Sequence, residues 1–156
     1  MTVKVPEPYR YTECGLDNVY VHGLHPIIDD DGEDVYRINN INGLHKAIAR
    51  GIITQSAAMS GKHLRFLRTE MGLTQAELGK MVHKEQLTVG RWEREESPID
   101  TNADTIIRLI AIERLDLKSP LSIEDVSELS VQKAGPNIID IEGEDPTDYH
   151  PRPIAA

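Results

Sequence analysis

Apolar positions along the chain change their period near residue 40. Between residues 8 and 38 they come in short alternating runs, Tyr9-Arg10-Tyr11, Val19-Tyr20-Val21, Pro26-Ile27-Ile28 and Val35-Tyr36-Arg37-Ile38. Gly15, Asp17-Asn18, Gly23 and Asp29-Asp30-Asp31-Gly32 divide them, and these are residues that favour turns. The pattern predicts a small antiparallel β-meander. From Ile41 the spacing becomes three and four, with Ile41, Leu44, Ile48 and Ile52 on one stripe, which predicts a helix over 41–53 that closes the open face of the sheet. Asn40 or Asn42 can cap it, and Gly51 is a candidate early stop.

Three closely spaced helices follow the loop 54–58. The first starts at Ser60, carries Leu64, Leu67 and Met71 on one face and stops at Gly72. The second opens on Thr74 with Glu77 three residues later, the reciprocal cap that satisfies two backbone N–H groups, and carries Ala76, Leu78, Met81 and Val82. The third runs from about Lys84 to Arg94, with Val89 and Trp92 inward and Leu87 off that stripe. After Pro98, Ile106, Leu109, Ile110 and Ile112 mark a fourth helix over 102–115, and Ser122 can cap a short fifth over 121–131. From Lys133 on, Gly, Pro, Asp and Glu dominate, which predicts disorder in isolation. The expected organisation is a mainly helical α+β chain: a β-rich module with one helix (1–58), a helical domain (59–117), and a short helix with a flexible acidic tail (118–156).

Charge separates these segments. The chain carries −9 overall, from 17 Lys+Arg against 26 Asp+Glu in 156 residues. Residues 61–94 hold 7 basic and 4 acidic side chains, whereas 1–60 hold 5 and 8 and 95–156 hold 5 and 14. A basic centre between acidic flanks suits a nucleic-acid module with an acidic appendage. No apolar run approaches membrane-spanning length and Met1 to Arg10 lacks a secretory pattern, so no membrane association and a cytoplasmic location are expected. The lone cysteine, Cys14, forms no internal disulfide and supplies no thiolate pair for zinc.

The segment Leu64-Arg65-x-Leu67-Arg68, then Met71-Gly72-Leu73-Thr74-Gln75-Ala76-Glu77-Leu78-Gly79, then Gly90-Arg91-Trp92-Glu93-Arg94 carries the functional signal. Its physical content is two short helices crossing through a tight turn, the second offering its outer face to a DNA major groove. Ala76 and Gly79 are small where helices approach, and Gln75 sits at a helix N-terminus able to hold a phosphate. This segment resembles the helix-turn-helix of the phage repressor and Cro (XRE) family over about residues 60–114, with a lambda-repressor-like bundle implied.

The resemblance implies an architectural ion pair between Arg68 and Glu93. It places Gln86, Leu87, Thr88 and Arg91 where bases are read, and Lys62, Arg65, Gln75, Lys84 and Arg94 where phosphates are held. Leu87, off the inward stripe, then has a role against a thymine methyl. His83-Lys84 stands where the family more often has glycine and an aliphatic residue, and Glu96-Ser97 where glycine is usual. The wider layout, with Tyr11-Thr12-Glu13-Cys14-Gly15-Leu16-Asp17-Asn18-Val19 and Leu44-His45-x-Ala47-Ile48, is similar to MqsA- and HigA-type antitoxins of type II toxin–antitoxin operons. That implies a homodimer on a palindromic double-stranded operator, repressing its own operon, and a cognate toxin as protein partner.

Other chemistries fit less well. His63, Glu70 and His83 show no nucleophile or paired-carboxylate arrangement, so no catalytic residues, no metal and no cofactor are expected and the chain reads as a non-enzyme. Asp29 to Asp34 lacks the alternate oxygens and closing glutamate of a calcium loop and suits a solvated hairpin tip. Two alternatives stay open at this point: a protein-interaction adaptor without DNA binding, and a metal-dependent enzyme built on Cys14, His22 and His25.

Overall fold

The structure, a computed structural model, describes residues 7–119, 121–131 and 138–152. It is an α+β protein whose chain divides into two compact units, Met1–Gly51 with Ile138–Ala156, and Ile52–Asn137.

The first unit is built on a four-stranded sheet of β1 (Tyr9–Arg10), β2 (Val19–His22), β5 (Ile139–Glu142) and β6 (His150–Pro151), in the order β1-β2-β5-β6. The short strands β3 (Ile27–Ile28) and β4 (Asp34–Val35) form a separate hairpin. Two expectations are corrected here. The strands of residues 9–35 pair antiparallel as β1–β2 and β3–β4 but do not form one meander, because β3–β4 is a separate hairpin and the other neighbour of β2 is β5, in parallel, with Val19 opposite Ile139 and Val21 opposite Ile141. Nor is the acidic end a flexible tail over residues 138–152. Ile139 and Ile141 alternate with Asp140 and Glu142, so one face of β5 is buried and the other carries the charges.

Helix α1 (Ile41–Thr54) contributes Leu44, Ile48 and Ala49 to the buried core beside Val19, Val21 and Ile141. Asn40 caps it, its side-chain oxygen accepting the Gly43 N–H at 3.1 Å, and its amide nitrogen donates to the Pro146 carbonyl at 2.9 Å. Gly51 does not stop the helix. A Cβ there would sit 2.8 Å from Cγ2 of Ile139, so glycine makes room for the strand. Tyr149 closes the arrangement, its hydroxyl donating to the Asn39 carbonyl at 2.6 Å.

The second unit holds α2 (Gly61–Glu70), α3 (Gln75–Met81), α4 (Gln86–Glu93), α5 (Thr101–Arg114) and α6 (Ile123–Leu129). Ser60, Thr74 and Ser122 cap α2, α3 and α6, and the Thr74–Glu77 and Ser122–Asp125 reciprocal caps are both complete. Leu64, Leu67, Leu78, Val89, Trp92 and Ile107 form the core. Helices α2, α3, α4 and α5 all end in the same motif, in which one residue turns left-handed and the next donates its N–H back across the last turn. Those N–H groups are Leu73 to Arg68 O, Lys84 to Gly79 O, Glu96 to Arg91 O and Leu117 to Ile112 O, at 2.8–3.1 Å. Only the first uses glycine, Gly72; the others hold His83, Glu95 and Asp116 at φ of 57°, 60° and 50°.

Helix α5 forms where the spacing of its apolar residues predicts, but those residues are not its buried ones. Its buried residues are Ala103, Asp104, Ile107, Arg108 and Ala111, while Ile106 is exposed and Leu109, Ile110 and Ile112 are half-buried. Arg108 Nε donates to Asp104 Oδ1 at 2.7 Å, and its other nitrogens donate to the carbonyls of Ile53, Gln55 and Ala57. Asp104 Oδ2 accepts the Met59 N–H at 2.8 Å. A fully buried charge pair thus holds the connection 53–59 against α5. Among the described residues, no helix is long and apolar enough to cross a membrane.

Candidate nucleic-acid interface

Helix α4 has two chemically distinct sides. Val89, Gly90 and Trp92 are buried, whereas Gln86, Leu87 and Arg91 are exposed, Leu87 at 56%. Thr88, expected beside them, is half-buried at the edge of this face. Lys84 lies before the helix, in the turn after α3, because α4 begins at Gln86 with Glu85 as its N-terminal flank.

The inner side is fixed in three ways. Gly79 lets α3 and α4 approach, since a Cβ there would meet the Lys84 carbonyl at 2.6 Å and Val89 Cγ2 at 3.4 Å. Ala76, which small size suggested for the same purpose, is instead exposed. Gly61 brings the start of α2 onto the end of α4, where a Cβ would lie 2.4 Å from the Trp92 carbonyl, and Glu95 Oε1 accepts the Gly61 N–H at 3.2 Å. Finally, Arg68 Nε and Nη2 donate to Glu93 Oε2 and Oε1 at 2.6 and 2.9 Å, and Nη1 to the Leu73 carbonyl at 2.9 Å. The paired carboxylate raises the pKa of the Arg68 guanidinium further.

Gln75, on the first turn of α3, donates from its amide nitrogen to Glu93 Oε1 at 3.2 Å, so this side chain is oriented by the same carboxylate. Gln75, Glu85, Gln86, Leu87, Gly90 and Arg94 line an open concavity of about 410 Å³. Lys62 and Arg65 are exposed on α2. Arg94, expected at a phosphate, is gripped by Glu96 at 2.9 and 3.3 Å, which lowers the Glu96 carboxyl below the usual carboxylate range and raises the Arg94 guanidinium. Lys84 Nζ is 4.0 Å from Asp100 Oδ2.

Glu85 and Glu96 both stand in the sequence pattern, Glu85 beside the expected base-reading positions; what the pattern did not single out is the pairing of Glu96 with Arg94. The run Glu93-Arg94-Glu95-Glu96 carries that signal, because it sets opposite charges two residues apart on one turn.

The residues weighed as metal ligands do not converge. His22 Nε2 is hydrogen-bonded to Asp140 Oδ1 at 2.7 Å, His25 is exposed, and no ligand-like group of His, Cys, Asp and Glu occurs among the described residues. At the acidic hairpin tip, the Asp29 carboxylate accepts the N–H groups of Asp31 and Glu33 at 3.0 and 2.8 Å, closing the turn. No family model matches the chain, and no curated protein or solved structure matches it.

Proposed function

We propose that the protein is a sequence-specific DNA-binding transcriptional repressor, with α2–α4 as an XRE-type helix-turn-helix inside a lambda-repressor-like bundle. One observation carries this reading: α4 keeps a leucine, a glutamine and an arginine in solvent on a helix whose opposite side is locked by Arg68–Glu93, Gly61 and Gly79. A rigid helix with an exposed apolar and hydrogen-bonding face suits major-groove reading better than a core role.

In this reading Gln86 bonds adenine, Leu87 contacts a methyl group, Thr88 lies alongside and Arg91 bonds guanine or a phosphate. Lys62, Arg65, Gln75, Lys84 and Arg94 hold the backbone and set the register. Two copies place two such helices about 34 Å apart on a palindromic operator in the cytoplasm, and repression follows from blocking polymerase.

Titration of purified protein against duplex DNA at increasing salt tests the reading. Affinity should fall linearly on a log–log plot. No duplex affinity even at low salt would overturn it and leave the protein-interaction adaptor. The antitoxin role and its cognate toxin rest on the sequence resemblance; the reading frame beside this gene decides them, since a short basic ribonuclease-like neighbour is expected.

A further inference from the structure

A two-stranded hairpin is marginal in water on its own, and β3–β4 stands outside the four-stranded sheet. Its first strand is apolar at both positions. Adjacent residues of a strand face opposite sides, so Ile27 lies beside Val35 on one face and Ile28 beside Asp34 on the other. Neither isoleucine is covered: Ile27 is 37% exposed and Ile28 69%, the most exposed large apolar side chain among the described residues.

The backbone of Ile28 is directed outward as well. Asp29 donates its N–H to the Glu33 carbonyl at 2.9 Å, and antiparallel pairs alternate between bonded and non-bonded. Ile28 and Asp34 are therefore a non-bonded pair, and the N–H and C=O of Ile28 point away from β4 toward the free edge of the hairpin. Lysine or proline ordinarily guards such an edge; β3 holds neither, Pro26 standing just before it. Charge around the edge has one sign. Asp30, Asp31 and Glu33 are exposed at the tip, Asp34 is half-buried beside Ile28, and no lysine or arginine occurs in residues 11–36. A second copy paired here would bring the same acids to one sheet, whereas a basic chain would complement them.

We propose that the free edge of β3 docks an extended segment of a basic partner protein, which adds a strand at Ile28 and sets Lys or Arg side chains against the acidic tip. The isoleucines and the main chain of Ile28 hold the strand, and the acids select its charge. This site uses no residue of α2–α4 and is independent of DNA binding.

The probe is a fluorescein-labelled, amidated octapeptide alternating lysine and valine, titrated by anisotropy against the full-length protein. It should bind and slow hydrogen exchange of the Ile28 amide. The glutamate–valine counterpart should not bind. N-methylation of alternate peptide bonds removes main-chain donors without removing charge, and should abolish binding. Ile28→Ala, an exposed change, should weaken it by about tenfold, the worth of covering one large aliphatic side chain.

Equal binding of the N-methylated peptide, or indifference to Ile28→Ala, would reduce the effect to attraction between a basic peptide and a chain of net charge −9, and overturns the site. Equal binding of the glutamate peptide, or no binding of the lysine peptide, overturns the basic partner. An Ile28 amide protected in the free protein would also overturn it: protection lost on dilution assigns the edge to a second copy, and protection lost on deleting residues 1–6 assigns it to the chain's own Thr2-Val3-Lys4-Val5.

Discussion

Arg68 and Glu93 meet through two parallel hydrogen bonds, 2.6 Å from Nε and 2.9 Å from Nη2, across the gap between α2 and the end of α4. Neither partner is much exposed, 16% for the arginine side chain and 5% for the glutamate. The same carboxylate orients Gln75 and the same guanidinium caps the Leu73 carbonyl, so four segments share one charge pair.

Removing either partner alone leaves a largely buried charge without its counter-ion. Arg68→Ala or Glu93→Ala is expected to cost on the order of 3 kcal/mol in urea denaturation. The double change Arg68→Met with Glu93→Leu should lose less than the sum of the two, because no lone charge remains. Additive losses would show that the pair is not a unit.

The left-handed residues at helix ends give a second test. His83 and Asp116 occupy a conformation that costs an L-residue roughly 1–2 kcal/mol and glycine almost nothing, less glycine's own entropic cost of about 0.5–1 kcal/mol. His83→Gly and Asp116→Gly should therefore stabilise slightly, by up to about 1 kcal/mol in thermal or urea unfolding. Glu95→Gly should not, because Glu95 Oε1 accepts the Gly61 N–H at 3.2 Å and that bond would be lost. A uniform gain at all three sites would mean the Glu95–Gly61 contact contributes nothing.

The buried Arg108 gives a third. Its three carbonyl partners and Asp104 need a planar, multi-donor head, so neither Arg108→Lys nor Arg108→Met can satisfy them. Arg108→Met should cost about 3–5 kcal/mol, more than Asp104→Asn, whose amide oxygen can still accept the Met59 N–H. Equal unfolding midpoints for wild type and Arg108→Met would remove the pair from the account of the second unit's stability.

Helix starts were legible because capping is written in local residue choice: Ser60, Thr74 with Glu77, and Ser122 each cap as their side chains predict. Helix ends were less legible, since three of the four left-handed stops use His, Glu and Asp, residues that carry no stop signal. The buried side of α5 was not legible because an Asp–Arg pair four residues apart looks like a solvated face, and it is the carbonyls of Ile53, Gln55 and Ala57 that make its burial tolerable. The strand β5 was hidden by its surroundings of Gly, Pro and acids, although Ile139-Asp140-Ile141-Glu142 alternates as a half-buried strand should. On the candidate interface, exposure of Leu87 was legible from its place off the Val89–Trp92 stripe, whereas the grip of Glu96 on Arg94 depends on the turn at Glu95.

Because β5 sits between β2 and β6, the first unit is completed by residues that follow the second in sequence. Ending the chain after residue 131 strips Val19 and Val21 of their parallel partners and uncovers the core against Ile139 and Ile141, each worth roughly 1.5–3 kcal/mol when buried. The truncated chain should lose amide-exchange protection at Val19–His22 and keep it in α2–α5. Retained protection at β2 would mean that the strand does not depend on its C-terminal neighbour.

The pairing of Arg94 with Glu96 makes a functional prediction whose sign can be worked out. Glu96 has a lowered pKa because Arg94 hydrogen-bonds its ionised form, so the pair is complete above the ordinary glutamate value of 4.5 and is lost as pH falls through the lower folded value. Below that, or in Glu96→Gln at neutral pH, the ion pair is reduced to a neutral hydrogen bond and Arg94 is freer to turn toward a phosphate. If Arg94 is a phosphate contact, its release adds one neutralised phosphate in each half-site. Glu96→Gln should then bind duplex more tightly at low salt, with log affinity falling more steeply against log salt by roughly 0.9 per half-site. Arg94→Ala should erase the difference between glutamate and glutamine at position 96. Identical salt slopes for wild type and Glu96→Gln would place Arg94 outside the DNA contact surface and leave its pairing with Glu96 as a feature of the turn alone.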